Sequence, residues 1–282
     1  MKSYYELTKP RITWLILVTT GVGYYFGNKG VLDWVTLFHC MFGTALIASG
    51  TSALNQWYEH QSDGLMRRTE KRPIPAGVIT PRNALIFGFV LSCVGYLQLS
   101  LGCNLLTAAL GLITELIYLF VYTPLKQRTP MATTIGAIPG AMPPLIGFAA
   151  ASGILTIEAW ALFAIMFLWQ FPHFYAIAWM YRDDYERGGI RMLPVVEPDG
   201  ASTVRQMMLF SLALIPVTLL PRVLSMTGNW YVGGAVIGGL VFFWYCTRMV
   251  HDRTLIRARS VLLVSVIYLP VLFGLLILDR PR

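Results

Sequence analysis

An all-α integral membrane protein with nine spans is the fold class this chain predicts, and three observations predict it. Hydrophobic residues fill 56% of the 282 positions and charged residues only 13%, with a mean hydropathy of +0.59. Apolar runs of bilayer length, about 17–25 residues, recur along the whole chain, and the connections between them are too short for a soluble domain. With nine spans, 18 of the 22 Lys and Arg fall on one side of the membrane. A single membrane-embedded domain over 1–282 follows.

Span one, 12–27, is preceded by Lys2, Lys9 and Arg11. Span two, 35–56, leads into Arg67, Arg68, Lys71, Arg72 and Arg82. Span three, 83–102, opens on Thr80 as N-cap with Pro81 at the first helical position. Span four, 104–122, ends before Lys126 and Arg128. Span five, 131–151, packs three prolines and three glycines into 135–147. It should break or kink there and line the site, since irregular backbone at membrane depth is tolerated beside a cavity. Tight helix packing by small residues is the alternative. Span six, 159–181, is followed by Arg182, Arg187, Arg191 and Arg205, with Ser202 or Thr203 as the cap of span seven, 206–224. Span eight, 230–248, precedes Arg248, Arg253, Arg257 and Arg259, and span nine is 260–278.

Only Lys29, Arg222, Arg280 and Arg282 remain for the other face. The positive-inside rule then puts the N-terminus and the basic loops in the cytoplasm and the C-terminus outside. The net charge of +8 reads as contact with anionic headgroups rather than with nucleic acid. The first apolar stretch is followed by more spans, so it does not read as a cleavable signal. Cys40, Cys93, Cys103 and Cys246 lack metal-site or CxxC spacing and read as packing residues.

Chemistry concentrates at two polar helix ends on the basic side. If the helix of span two continues, Asn55, Glu59 and Asp63 fall at i, i+4 and i+8 on one stripe. Oxygen ligands on one face suit Mg2+, which takes a few carboxylates and completes its shell with substrate phosphates. The arginines next in the chain can clamp those phosphates. At the second end, His173 and Asp184 are eleven residues apart, about 20° around a helix and roughly 16 Å along it. Asp184 is expected at the mouth, with His173 deeper on the same face. An intramembrane histidine is a functional candidate, a packing role beside Pro172 being the alternative; His39, His60 and His251 read as structural or solvated. Glu115 is the only acid deep in a span, with no partner evident in the sequence. Tyr118 and Tyr122 can offer π faces to a carbocation or pack the core. Spans one to four and five to eight carry matching long loops, which suggests a parallel four-helix pseudo-repeat over 1–130 and 131–258. Such a repeat would set the two polar ends across one cavity.

The order of motifs resembles one family over nearly the whole chain. Asn55-x-x-x-Glu59-x-x-x-Asp63-x-x-Met66-x-Arg68-Thr69 with Arg72, Tyr122-Thr-Pro-Leu-Lys126-Gln-Arg128, the Gly/Pro-rich span five, and Trp169-Gln-Phe-Pro-His173 leading to Asp184-Tyr185 are similar to the protohaem IX farnesyltransferase (haem O synthase) family. That family belongs to the UbiA superfamily of intramembrane prenyltransferases. The resemblance implies a nine-helix UbiA-type bundle around a central cavity, in a bacterial inner membrane. It also implies transfer of the farnesyl group of farnesyl diphosphate to a vinyl group of haem b, with addition of water, giving haem O and diphosphate.

Mg2+ on Asn55, Glu59 and Asp63 is the implied cofactor, and haem b is substrate rather than prosthetic group. The implied catalytic set is Asn55, Glu59, Asp63, His173 and Asp184. Arg68, Arg72, Tyr122, Lys126, Arg128, Tyr185 and Arg187 would contact substrate. A haem A synthase or a terminal oxidase would take the product. Two departures from the superfamily stand out: Glu59 replaces the usual Asp, as in the haem branch, and Gly188 stands where a second Asp would come after Asp184. The second motif thus supplies fewer carboxylates for a second metal ion. The alternatives are a UbiA-type enzyme acting on a quinone precursor, against which Glu59 and Asp184-Tyr185 argue, and a haem transporter, which needs no carboxylate stripe.

Overall fold

The computed structural model describes residues 2–281 and contains helices joined by short turns; Arg282, one of the four outward charges, lies outside the described residues. The helices are α1 (Lys2–Leu7), α2 (Pro10–Gly27), α3 (Trp34–Leu65), α4 (Pro81–Gly102), α5 (Leu105–Leu116), a π turn (Ile117–Tyr122) with α6 (Thr123–Leu125), α7 (Ala132–Ala141) and α8 (Pro143–Ser152). They continue as α9 (Ile157–Met180), α10 (Arg182–Arg187), α11 (Leu193–Val196), α12 (Ala201–Val217), α13 (Leu220–Val223), α14 (Asn229–His251) and α15 (Leu255–Leu278).

Among the described residues, eight helical stretches are long and apolar enough to cross a membrane. Each coincides with one of spans two to nine. Span one is helix α2, 18 residues long, but Arg11 and its threonines, glycines and tyrosines keep it out of that set. Large apolar side chains such as Trp14, Phe89, Leu101, Phe120 and Ile267 are exposed along the helices. A surface of that kind is stable only against lipid. The protein is a multi-pass integral membrane protein.

Four local features position the site. Helix α3 does not stop at 56 but runs 32 residues to Leu65, capped at its start by Asp33, whose carboxylate accepts from the amides of Val35 and Thr36. Its polar end is therefore one continuous helix. Helices α3 and α4 interlock through glycines seven residues apart. A Cβ on Gly50 would come within 2.7 Å of the Gly88 carbonyl oxygen, and one on Gly95 within 2.9 Å of that of Gly43. Such small residues let two backbones touch.

Span four loses its α-helical spacing at the π turn, for which Pro124 supplies the reason. Proline has no N–H and its ring clashes with the carbonyl four residues back, so the helix widens to i→i+5 bonding. The Thr123 amide accordingly donates to the Tyr118 carbonyl. Span five does break, at Met142 between α7 and α8. Its small residues serve packing: a Cβ on Gly147 would lie 1.9 Å from the Thr20 carbonyl oxygen of α2.

The N-cap at Thr80 is present, its hydroxyl accepting from the Asn83 amide at 3.3 Å. The expected cap of span seven is not Ser202 or Thr203. Helix α12 starts at Ala201 after Gly200 in a left-handed conformation. Its free amides are met from outside, Ser202 N–H donating to Glu197 Oε1 at 2.9 Å and Ala201 N–H to Asp199 Oδ1 at 3.3 Å. The largest core cluster joins α2, α7 and α8 to α9, α12, α14 and α15, with Phe171 stacked on Phe210 at 3.6 Å.

Candidate active site

Because α3 is unbroken, Asn55, Glu59 and Asp63 share one face, and all three are buried, at 1%, 8% and 1% exposure. They line one cavity of about 90 Å3 with Lys9, Arg68, Arg72, Lys126, Tyr118, Tyr122 and Tyr185, over an apolar floor of Met66, Ile190 and Met192. Each carboxylate faces a cation. Arg72 Nη1 lies 2.6 Å from Asp63 Oδ2, and Lys126 Nζ lies 2.9 Å from Glu59 Oε1. The Asn55 side-chain amine donates to Glu59 Oε2 at 3.0 Å and to Thr123 Oγ1 at 3.2 Å. Both of its N–H bonds are thus engaged, and Asn55 Oδ1 turns inward, where Lys9 Nζ donates to it at 3.3 Å.

Two carboxylates and an amide oxygen on one face suit Mg2+, which relies on one or two carboxylates and on substrate phosphates instead of an all-protein cage. Among the described residues no cluster of three or more His, Cys, Asp or Glu forms such a cage.

The aromatic wall comes from the π turn. Tyr118 and Tyr122 have ring centroids 5.1 Å apart, and Lys126 Nζ stands 4.5 Å over the Tyr122 ring. Arg68 lies over the rings of Tyr181 and Tyr185, at 5.0 and 5.6 Å. The two polar helix ends do meet here, as Asp184 Oδ1 accepts from the Arg67 amide at 3.2 Å.

Other expected site residues lie elsewhere. Helix α9 ends at Met180 and the chain turns at Tyr181 (φ −116°, ψ 23°) before α10. His173 and Asp184 therefore do not share one helical face. Asp184 is buried outside the cavity lining and is held by Arg187, which is itself exposed. His173 faces α15, with its Nδ1 2.8 Å from Ser265 Oγ and its ring stacked on Trp169. Ser265 Oγ donates to the Leu262 carbonyl, so toward His173 it accepts. His173 then carries its proton on Nδ1 and presents a lone pair on Nε2. Arg128 is exposed and away from the cavity. Span five does not line the cavity either; its Gly136 backs Tyr122.

Two site residues escaped the sequence reading. Lys9 counted only as a loop charge, yet it is a cavity residue in the left-handed region, φ 47°. Non-glycine residues rarely adopt that conformation, which is stored preferentially at functional sites. Burial first, then the nearby charges of Arg72 and Lys126, bring its ammonium from the ordinary 10.5 down to about 7. Nothing in the sequence signalled it: proline steers the residue before it toward extended backbone, and Lys9 departs from that. Thr123 is the other, 1% exposed and visible only as the residue before Pro124.

The sequence profile of the UbiA prenyltransferase family matches residues 16–274. The protoheme IX farnesyltransferase of Solibacter usitatus is 57% identical, covering 100% of this chain and 99% of that protein. That of Koribacter versatilis is 46% identical over 99% of this chain and 94% of its own. Among solved structures, a digeranylgeranylglyceryl phosphate synthase superposes with a TM-score of 0.83 at 18% identity, covering 99% of this chain and 97% of the other. A UbiA homologue of Archaeoglobus fulgidus bound to GPP and Mg2+ superposes with a TM-score of 0.72 at 15% identity, covering 97% and 99%. These structures share the fold. The chain belongs to the UbiA prenyltransferase family and is an enzyme, a prenyltransferase.

Proposed function

We propose that this UbiA-family prenyltransferase moves the farnesyl group of farnesyl diphosphate onto a vinyl carbon of haem b, with addition of water, giving haem O. The observation that carries the diphosphate half is the cavity in which Asn55, Glu59 and Asp63 face Lys9, Arg68, Arg72 and Lys126. Names of full-length relatives at 57% and 46% identity support the haem half.

Asn55 Oδ1, Glu59 and Asp63 would hold Mg2+, which when bound supplies Lewis-acid neutralisation of the leaving diphosphate. Lys9, Arg68, Arg72 and Lys126 bind the diphosphate oxygens and take up the charge that grows as the allylic C–O bond breaks toward oxygen. Tyr118 and Tyr122 turn π faces to the allylic cation. The vinyl carbon adds to farnesyl C1. The cation left beside the porphyrin takes the oxygen of water, which then loses a proton. His173, with Nδ1 engaged by Ser265, offers its Nε2 lone pair on the acceptor side, for that proton or for haem. Asp184 positions the loop that starts at Arg67 and carries Arg68. Placement in a bacterial inner membrane, with the cavity end cytoplasmic, accords with the distribution of basic residues.

Purified protein supplied with haem b, farnesyl diphosphate and Mg2+ should yield a product heavier than haem b by one hydroxyfarnesyl unit by mass spectrometry. Product from a phenolic acceptor alone would replace haem with a quinone precursor.

A further inference from the structure

Glu115 is the one buried acid that the prenyl-transfer chemistry does not use. It is 5% exposed and lies in α5, directly before the π turn. Its Oε1 accepts from Ser92 Oγ of α4 at 2.8 Å, and its Oε2 accepts from the hydroxyl of Tyr96, also on α4. No ion-pair partner stands beside it among the described residues. A carboxyl group at membrane depth is costly, and an apolar residue would pack α5 on α4 without that cost. What two directional hydrogen bonds add is a fixed rotation of α5 about its axis.

That rotation governs three cavity residues, because Tyr118, Tyr122 and Lys126 stand three, seven and eleven residues after Glu115. On an uninterrupted α-helix, Tyr122 would fall within about 20° of Glu115 and face α4. The π turn spends an extra residue per bond and so turns less per residue. Tyr122 is thereby carried off the α4 face and into the cavity, where Lys126 reaches Glu59. The turn is set downstream by Pro124 and by Thr123, whose hydroxyl donates to the Tyr118 carbonyl at 2.8 Å and accepts from Asn55. Its upstream reference is Glu115. The anchor reaches α3 as well, since Ser92 packs so closely on Gly50 that a Cβ there would lie 2.3 Å from Ser92 Oγ.

We propose that Glu115 is a positioning residue for the diphosphate end of the site: through Ser92 and Tyr96 it sets the rotation from which the π turn aims Tyr122 and Lys126. The inference rests on the reading that the cavity takes diphosphate. The test is calorimetric titration of inorganic pyrophosphate, with Mg2+ present, into the full chain in detergent. Glu115→Leu should weaken binding about 10-fold, the usual scale for an outer partner of a binding group. Glu115→Gln, which can still bond both hydroxyls, should stay within about threefold. Glu115→Leu combined with Lys126→Met should bind no worse than Lys126→Met alone, because, of the two residues Glu115 aims, only Lys126 brings charge to pyrophosphate.

Full additivity of those two losses, or Gln binding as weakly as Leu, would overturn the proposal in favour of general packing. Should Glu115→Leu not fold, Ser92→Ala with Tyr96→Phe replaces it under the same expectations. If the wild type binds pyrophosphate and Glu115→Leu binds it equally well, only this inference falls. If the wild type binds none, the diphosphate reading falls with it.

Discussion

The end of α3 and the end of α9 look alike as sequences, each an apolar helix running into acids and arginines, yet they are built differently. Helix α3 stays helical through Asp63, so its i, i+4, i+8 stripe becomes one wall of a cavity. Helix α9 stops at Met180, and the chain restarts in a new direction at Arg182. Asp184 ends up fastening a loop through the Arg67 amide, and His173 is turned to Ser265. The lesson is that helical spacing predicts shared chemistry only while the hydrogen-bonded ladder is unbroken.

The comparison is tested hardest by matched substitutions. Asp63→Asn should lower turnover about 10³-fold, as expected for a group that stabilises transition-state charge, with helix content unchanged by circular dichroism. Asp184→Asn, which loosens a loop, should cost only about 10-fold; equal losses would erase the distinction between the two ends. His173→Gln comes next. It keeps a bond to Ser265 but removes the Nε2 lone pair, and should lower turnover with haem about 10²-fold while pyrophosphate affinity stays at the wild-type value. Loss of pyrophosphate binding would tie His173 to the cavity of Asn55, Glu59 and Asp63 instead.

Lys9 sharpens the comparison through pH. Its folded value of about 7 lies below the ordinary 10.5 because of burial and then Arg72 and Lys126. The ammonium is therefore present below pH 7 and lost above it, while the unfolded chain keeps it to pH 10.5. For this group, stability rises with pH between those two values. Diphosphate favours the ammonium, so above pH 7 binding by the wild type should take up a proton that Lys9→Arg does not, and its affinity relative to that variant should fall about 10-fold from pH 6 to pH 8. Calorimetry in buffers of different ionisation heat reads the proton directly, and Lys9→Arg should flatten the trend; a wild-type profile as flat as that of the variant would refute it. Arg128→Ala sets the lower limit: less than about a twofold change in turnover, since an exposed cation contributes little.

Much of this was legible beforehand. Spans two to nine, the Asn55–Glu59–Asp63 stripe, the basic residues Arg68, Arg72 and Lys126 near it and the break near Pro143 come from apolar length, helical period and proline chemistry, all local properties of a chain. Glu115 was visible as an anomaly, but its partners Ser92 and Tyr96 were not, since nothing in one helix states which face of another it meets. The role of small residues in span five shows the same limit. Composition is compatible with lining or with packing, and contact between Gly147 and Thr20 chose packing.

What the sequence by itself determined is therefore the apolar spans, the side-chain stripe at one helix end and the family. Periodicity and side-chain type act over a few residues and need no partner. The tertiary structure alone decided that Lys9 enters the cavity, that His173 and Asp184 part company, and that Arg128 stays outside. Those outcomes depend on where a chain turns and what packs against it, and such contacts join residues far apart in sequence.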